Sequence, residues 1–397
     1  MTAQAHLNWP FFEPHHKLLA TEVNRWAGAQ VGAEHDKDDV DVDNVCRGLV
    51  RQLGAAGWLK YAIGGTEYGA NDEVIDTRAI CLIRETLAQH SGLADFAFAM
   101  QGLGSGAITL FGTPQQKANY LPQVAQGKAI PAFALSEADA GSDVAALQCE
   151  GRLDGDSYVL NGEKTWISNG GIADFYVVFA RTGEAAGSRG ITAFLVDSAT
   201  QGFAISQRIN IIAPHPLGHL TFKNCRVPKT NRLGEPGRGF KVAMATLDVF
   251  RTSVAAAAVG FARRAMQESL RRATSRKMFG QMLSDLQLTQ ARLAGMATDI
   301  DAAALLTYRA AWLRDQGQSI TVEAAMAKMT ATETAQRVID AAVQIAGAKG
   351  VVSEQIVERL YREIRPLRIY EGATEVQLLI VARGIIKSFQ ESEPPRA

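Results

Sequence analysis

Three short stretches of the chain carry residues whose types and spacing suit chemistry. The first is Tyr370-Glu371-Gly372-Ala373-Thr374-Glu375-Val376-Gln377. Thr374 and Gln377 have the Thr-x-x-Gln spacing of a capping box, which predicts a helix beginning at about Glu375. Glu371 then lies in the loop facing that helix's amino end. The helix dipole favours its charged carboxylate and an apolar pocket pushes its pKa up, and opposing terms of this kind poise a general base. Taken alone, the same residue also reads as a dipole-stabilising surface carboxylate. The second stretch, Ser136-Glu137-Ala138-Asp139-Ala140-Gly141-Ser142-Asp143, follows a strand-like Pro131 to Leu135. Its glycine, two hydroxyls and turned amides can hold an anion such as pyrophosphate, or simply form a capped polar loop. The third, Trp166-Ile167-Ser168-Asn169-Gly170, puts an indole beside a hydroxyl after a hairpin. The indole can pack on a flat cofactor ring or sit in a domain core.

Elements that would position these residues follow from the hydrophobic period. From Pro14 to about Gln126 apolar residues recur at helical spacing, as in Val45, Leu49, Leu53 and Ile80, Ile83, Leu87, with glycine breaks at Gly64-Gly65 and Gly69. The pattern then turns strand-like at Ser157 to Leu160, Asp174 to Ala180, Thr192 to Val196, Phe203 to Ser206 and Leu220 to Phe222. Asp154-Gly155 and Asn161-Gly162 read as hairpin turns. After a linker at Gly234 to Gly239, long Ala- and Leu-rich helices return at about Phe240 to Ser275, Asp285 to Gln316 and Thr321 to Ala346, lengths that suit an antiparallel bundle. The expected fold is α+β: an N-terminal helical bundle (1–126), a small central β-barrel or sheet domain (127–236) and a C-terminal four-helix bundle (237–397). Clefts between such layers are preferred cofactor sites.

Composition narrows the classes. In 397 residues Lys+Arg and Asp+Glu both number 41, which argues against a nucleic-acid partner. The basic residues between Arg263 and Lys277 share one helical stretch and read as a solvated or subunit-contact face. Cys46, Cys81, Cys149 and Cys225 are scattered, with no CxxC pair, so reduced buried thiols in a cytoplasmic protein are expected. Met1 to Pro10 lacks a signal-peptide pattern, and the weakly polar run Ser253 to Ala262 is too short for a bilayer, so no membrane role is expected.

In this order and at these separations, the stretches resemble the acyl-CoA dehydrogenase family from about Leu18 to Lys387. The Ala-Gly-Ser-Asp run is similar to the family's first signature and Trp166 to Gly170 to its second flavin segment. Arg276, Phe279, Gly280 and Gln287 match its Arg-x-x-Phe-Gly motif with a downstream Gln, and Gln344 to Gly350 and the Tyr-Glu-Gly run complete the set. The resemblance implies FAD, bordered by Phe133, Leu135, Ser136, Gly141 and Ser142 and flanked by Trp166, Ile167 and Ser168. It implies that Arg276, Phe279, Gln287, Gln344, Gly347 and Ala348 reach FAD held mainly by a neighbouring subunit, with helix-start amides from Ala373, Thr374 and Glu375. Ser142, Asp248, Arg251 and Gly372 would meet the acyl-CoA. Glu371 would take the α-proton as a β-hydride leaves to the flavin, giving a trans-2-enoyl-CoA. The thioester oxygen would be held by the base's own N–H and a ribityl hydroxyl. An electron-transfer flavoprotein would take the electrons, and the assembly would be a homotetramer, a dimer of dimers. A minority of relatives carry the base at the position of Phe250, which cannot act as one.

Departures from the family pattern are Ala138 for a common Pro, Ala348 for a Gly, and Ala94 where glutaryl-CoA dehydrogenases carry an Arg. Small residues at Gln101-Gly102-Leu103-Gly104-Ser105-Gly106 imply either a pocket widened for a branched, cyclic or aryl acyl group or close helix packing. Pro214-His215-Pro216-Leu217-Gly218-His219 holds two close histidines without an acidic or Cys neighbour in sequence, so a structural loop is expected rather than a metal site. Competing readings are an acyl-CoA oxidase using oxygen, a flavin monooxygenase on the same scaffold, which would lack the base, and a non-enzymatic scaffold protein.

Overall fold

A computed structural model describes residues 5–32 and 41–392; the first residues of the N-terminal segment and the last of the polar tail lie outside it. In chain order the elements are α1 (Pro14–Gln30), α2 (Val42–Ala55), α3 (Thr77–His90), α4 (Gly92–Phe111) and α5 (Pro114–Ala125). Strands β1 (Pro131–Ala134), β2 (Glu150–Asp154), β3 (Ser157–Ser168), β4 (Phe175–Arg181), β5 (Ile191–Asp197), β6 (Phe203–Arg208), β7 (Leu217–Pro228) and β8 (Arg232–Leu233) follow. Then come α6 (Gly239–Ser275), β9 (Lys277–Met278), β10 (Gln281–Met282), α7 (Gln287–Asp315), α8 (Thr321–Ala346), α9 (Ile356–Leu367) and α10 (Thr374–Ser392). The expected succession of helical, β and helical parts is present.

The chain forms two compact units. One comprises residues 1–38, 77–95 and 251–397, the other residues 39–76 and 96–250. In the first, Val254 to Ala262 of α6 pack with Ala303, Ala304 and Tyr308 of α7 and with Ala327, Ala331 and Ala335 of α8 in one apolar cluster. Small side chains allow close approach: a Cβ on Gly260 would lie 2.2 Å from the Glu85 carbonyl of α3. The run Ser253 to Ala262 thus belongs to a 37-residue helix that is long and apolar enough to cross a membrane, and 83% of its apolar window is buried inside the structure. Arg263, read as part of a solvated or subunit-contact basic face, turns inward instead. Its Nε donates to Glu85 at 2.8 Å, and the Tyr308 hydroxyl donates to the other carboxylate oxygen at 2.6 Å. All four cysteines are buried, and none is in a disulfide.

The second unit is built on a sheet of order β6-β7-β3-β2-β4-β5-β8, with β1 pairing parallel to β4. Asp154-Gly155 makes the expected hairpin, Asp154 opposing Ser157. Asn161-Gly162 does not. It is a bulge inside the 12-residue β3, where the register against β7 shifts between Leu160 and Gly162. Two local interactions favour the bulge over a turn: Asn161 Oδ1 accepts the Asn224 N–H at 2.8 Å, and Gly162, at φ 136°, sits where a Cβ would come within 2.7 Å of Cys149 Cα. The third chemical stretch therefore ends a long strand and does not follow a hairpin.

Candidate active site

Glu371 lies in the turn between α9 and α10, in the first unit. Pro366, near the end of α9, leaves its carbonyl to accept from the Ile369 and Tyr370 amides. The chain then passes through two left-handed residues, Glu371 at φ 52° and Gly372 at φ 94°. Glutamate in that region is strained, and such strain concentrates at functional sites. The turn is held by its carbonyls. Glu371 O accepts from Arg251 Nε and Gln377 Nε2, both at 3.2 Å, and Gly372 O accepts from Lys328 Nζ at 2.8 Å and Gln377 Nε2 at 2.9 Å. The expected capping box is absent. Thr374 spends its hydroxyl on Glu333 Oε1 at 2.7 Å and Gln377 spends its amide on the turn, so α10 begins at Thr374 without that cap.

The carboxylate itself is left open to a partner. Glu371 Oε2 is buried with no hydrogen bond, and the Glu371 N–H has no acceptor among the described residues. Burial raises the carboxyl's pKa above the ordinary glutamate value and Asp95 adds to the rise, while Arg84, Arg251 and Lys328 oppose it. Arg84 and Asp95 form a buried bidentate pair, Nε to Oδ1 and Nη2 to Oδ2, each 2.8 Å, and Arg84 Nη1 donates to Ser253 Oγ at 2.9 Å. Burial brings the Lys328 ammonium down to about 8.

Also in the first unit, the Arg276 segment meets the Gln344 to Ala348 segment. β9 and β10 form a hairpin whose two turn residues, Phe279 and Gly280, have φ of 54° and 80°. Positive φ at both positions is the geometry of a primed two-residue turn, and it leaves the Phe279 ring 86% exposed. A Cβ on Gly347 would lie 3.4 Å from Arg276 Nη1, so the guanidinium stands directly over that glycine. Gln287, Gln344 and Ala348 are exposed nearby in sequence.

The second unit carries the other segments. Phe133 of β1 packs on Phe179 of β4, and Leu135 is buried. The loop from Ser136 to Ser142 is anchored by a residue that sequence reasoning passed over. Glu137 accepts the amides of Gln148 at 2.6 Å and Cys149 at 2.9 Å, and buried Lys164 donates to it at 2.7 Å and to the Leu135 carbonyl at 3.1 Å. Gly141 and Ser142 are exposed, and a Cβ on Gly141 would meet nothing within 4 Å. At the end of β3, Trp166 has φ 60° and is 58% exposed, and Ser168 is half-buried. Asn169, at φ 61°, fixes this end to β1 by donating from Nδ2 to Pro131 O at 3.0 Å. Asp248 of α6 is half-buried.

Helix α4 answers the question of its glycines. Cβ atoms on Gly102 and Gly106 would lie 2.3 and 2.7 Å from the Phe250 ring, and one on Gly104 would lie 2.7 Å from Pro131. The small residues are filled by close packing, and the ring that displaces a second base is seated between them. The Pro214 to His219 loop has the acidic neighbour that the local sequence lacks: His219 Nε2 lies 3.2 Å from Glu163 Oε2, while the His215 ring packs on Phe96 at 4.4 Å.

In the second unit, the exposed Trp166 ring at positive φ and the exposed Gly141 and Ser142 suit a flat group carrying an anion; in the first, the exposed Phe279 ring and the Arg276 guanidinium over Gly347 suit an anionic group. Sequence reasoning missed Lys328, Arg84, Asp95 and the Lys164–Glu137 anchor. Lys328 had a signal: it is a lone charge on the alanine stripe of Ala324, Ala327, Ala331 and Ala335.

Comparison with known proteins agrees. Models of the acyl-CoA dehydrogenase N-terminal, middle and C-terminal domains match residues 13–128, 132–225 and 237–386. A 3-(aryl)acrylate reductase of Clostridium sporogenes is 36% identical over 382 residues, 95% of this chain and 100% of that one. The mitochondrial short-chain specific acyl-CoA dehydrogenase of Rattus norvegicus is 39% identical over 346 residues, 86% of this chain and 83% of that one. The structure of butyryl-CoA dehydrogenase from Megasphaera elsdenii superimposes with a TM-score of 0.87 at 32% identity, covering 94% of this chain and 99% of that one.

Proposed function

Because the chain belongs to the acyl-CoA dehydrogenase family, FAD-dependent oxidoreductases, we propose that it dehydrogenates an acyl-CoA thioester with Glu371 as the base. The observation that carries this reading is the buried Glu371 Oε2, which has no hydrogen bond in a turn whose two carbonyls are tied down.

An α-C–H beside a thioester is a very weak acid, so its removal needs a carboxylate of raised proton affinity and a donor for the developing oxyanion. Burial favours the first, and the Glu371 N–H, which has no acceptor among the described residues, would supply the second. Arg84, Arg251 and Lys328 oppose that rise and favour the charged carboxylate. FAD, when bound, supplies the acceptor for the hydride that leaves the β-carbon. Phe133, Leu135, Ser136, Gly141, Ser142, Trp166, Ile167 and Ser168 would hold it from one side. Arg276, Phe279, Gln287, Gln344, Gly347 and Ala348 would reach it from a neighbouring copy, and Ala373, Thr374 and Glu375 would turn helix-start amides to it. Asp248, Arg251, Ser142 and Gly372 would meet the thioester and its CoA.

Electrons would pass to an electron-transfer flavoprotein, and the working assembly would be a homotetramer. Exposed Leu378, Leu379, Ile385, Ile386 and Phe389 on α10 favour association. Four cysteines without a disulfide suit a reducing cytoplasm. A second reading is favoured by one relative. The name 3-(aryl)acrylate reductase describes the reverse reaction, in which Glu371 would return the proton to the α-carbon. Anaerobic titration with butyryl-CoA and 3-phenylpropanoyl-CoA, followed by flavin bleaching, identifies the acyl class. Oxygen uptake with peroxide formation would instead mark an oxidase. Absence of bleaching by every acyl-CoA would refute the dehydrogenase reading.

A further inference from the structure

The turn bearing Glu371 is tied to three helices through two carbonyls. Arg251 reaches these carbonyls from α6, Gln377 from α10 and Lys328 from α8, while Glu333 of α8 holds the flanking Arg368 and Thr374 side chains. Lys328 is fully buried among Ala324, Ala325, Ala327 and Ala331. A charge in such surroundings is costly unless it has a partner. Its ammonium donates to the Gly372 carbonyl rather than to a carboxylate, so among the described residues an acidic ion pair does not explain its place.

We infer that Lys328 is a positioning residue for the base: its bond to the Gly372 carbonyl fixes the left-handed turn that aims the Glu371 carboxylate and amide. The inference rests on Glu371 being the base. At φ 52° and 94° these two residues have easier conformations available, in which both the side chain and the N–H of Glu371 would point elsewhere. A buried donor satisfied at the observed carbonyl position selects against them. Gln377 belongs to the helix that the turn starts, so it can move with the turn. Lys328 is anchored in a separate buried helix and cannot.

The same ammonium acts on the base through its charge. The groups acting on Glu371 are Arg84 on α3, Asp95 on α4, Arg251 on α6 and Lys328 on α8. Those acting on Lys328 are Glu371, Arg251, Glu333 and Glu375. Both arginines stay charged throughout. Lys328 therefore has two separable effects, a hydrogen bond that holds geometry and a cation that favours the carboxylate.

Two variants separate them. Lys328→Met removes both effects, and Lys328→Gln keeps a donor while losing the charge. Each is compared with wild type and Glu371→Gln for FAD content, melting temperature and the pH dependence of anaerobic bleaching. The probe is butyryl-CoA or 3-phenylpropanoyl-CoA, whichever reduces wild type faster. Lys328→Met should lower the limiting bleaching rate about a hundredfold, the scale of a small misplacement of a reacting group, with apparent affinity near wild type. Lys328→Gln should recover most of that rate, with the acid limb of its profile moved to higher pH, because the cation that opposed the raised carboxyl is gone. Wild-type rate and profile in Lys328→Met would overturn the inference. So would equal losses of rate, affinity and FAD in both variants, the signature of a merely structural lysine. If Lys328→Met does not fold, Lys328→Gln decides alone, and an unmoved acid limb overturns the inference. Bleaching of Glu371→Gln at the wild-type rate would sink the base assignment itself; an inert Glu371→Gln beside unaffected Lys328 variants sinks only the positioning role.

Discussion

Burial raises the proton affinity of the Glu371 carboxyl, which suits the proposed base and costs stability when the group ionises. Its folded pKa lies above its unfolded value, so the folded state holds a proton that the unfolded chain would release between the two. The group's contribution to stability therefore falls as pH rises through that window. Glu371→Gln should raise the melting temperature above the window and leave it unchanged well below; an equal shift at every pH would contradict this account. The Lys164–Glu137 anchor predicts the opposite sign. Truncating Lys164 to Met leaves Glu137 half-desolvated beside two amides. That should cost about 3–5 kcal/mol in chemical denaturation, as breaking buried pairs commonly does. Glu371 was legible in sequence because its neighbours form a recognisable run. Lys328, Arg84 and Asp95 were not, because the Glu371 turn on which they act lies far from them along the chain and only folding brings them to it.

At the scale of elements, patterns read correctly where one period persists and fail where side chains have better partners than the local motif offers. The three long C-terminal helices keep a helical period and fall close to their expected limits. The capping box failed because Glu333 and the turn carbonyls outbid it for Thr374 and Gln377. Asn161-Gly162 has hairpin chemistry, yet its asparagine is used across the sheet by Asn224. Glycines on α4 had two readings, and the seated Phe250 ring selects packing. Gly102→Ala should therefore destabilise by about 1–3 kcal/mol as an overpacked core does, and Phe250→Leu should relieve part of that loss in the double variant. A neutral Gly102→Ala, measured by urea unfolding, would mean the ring moves freely and the notch is available to an acyl group.

For the whole molecule, the helical, β, helical succession could be read from changes of hydrophobic period. The composition of the two units could not, since one gathers three separate stretches of chain. The proposed tetramer predicts that cofactor binding depends on assembly. An Ile385→Glu, Ile386→Glu variant should sediment as a smaller species and retain less FAD, because the Arg276 and Phe279 segment would no longer reach a neighbour's cofactor. Full FAD retention in a monomer would contradict that arrangement. The central claim, that Glu371 abstracts the α-proton, is tested most directly by rapid anaerobic mixing of FAD-replete wild type and Glu371→Gln with the acyl-CoA that best reduces wild type. Wild type should bleach, and the variant should bind the thioester with an unchanged flavin content but reduce its flavin about 10²–10⁴-fold more slowly, the range general-base catalysis supplies. Bleaching of the variant at the wild-type rate would contradict the assignment.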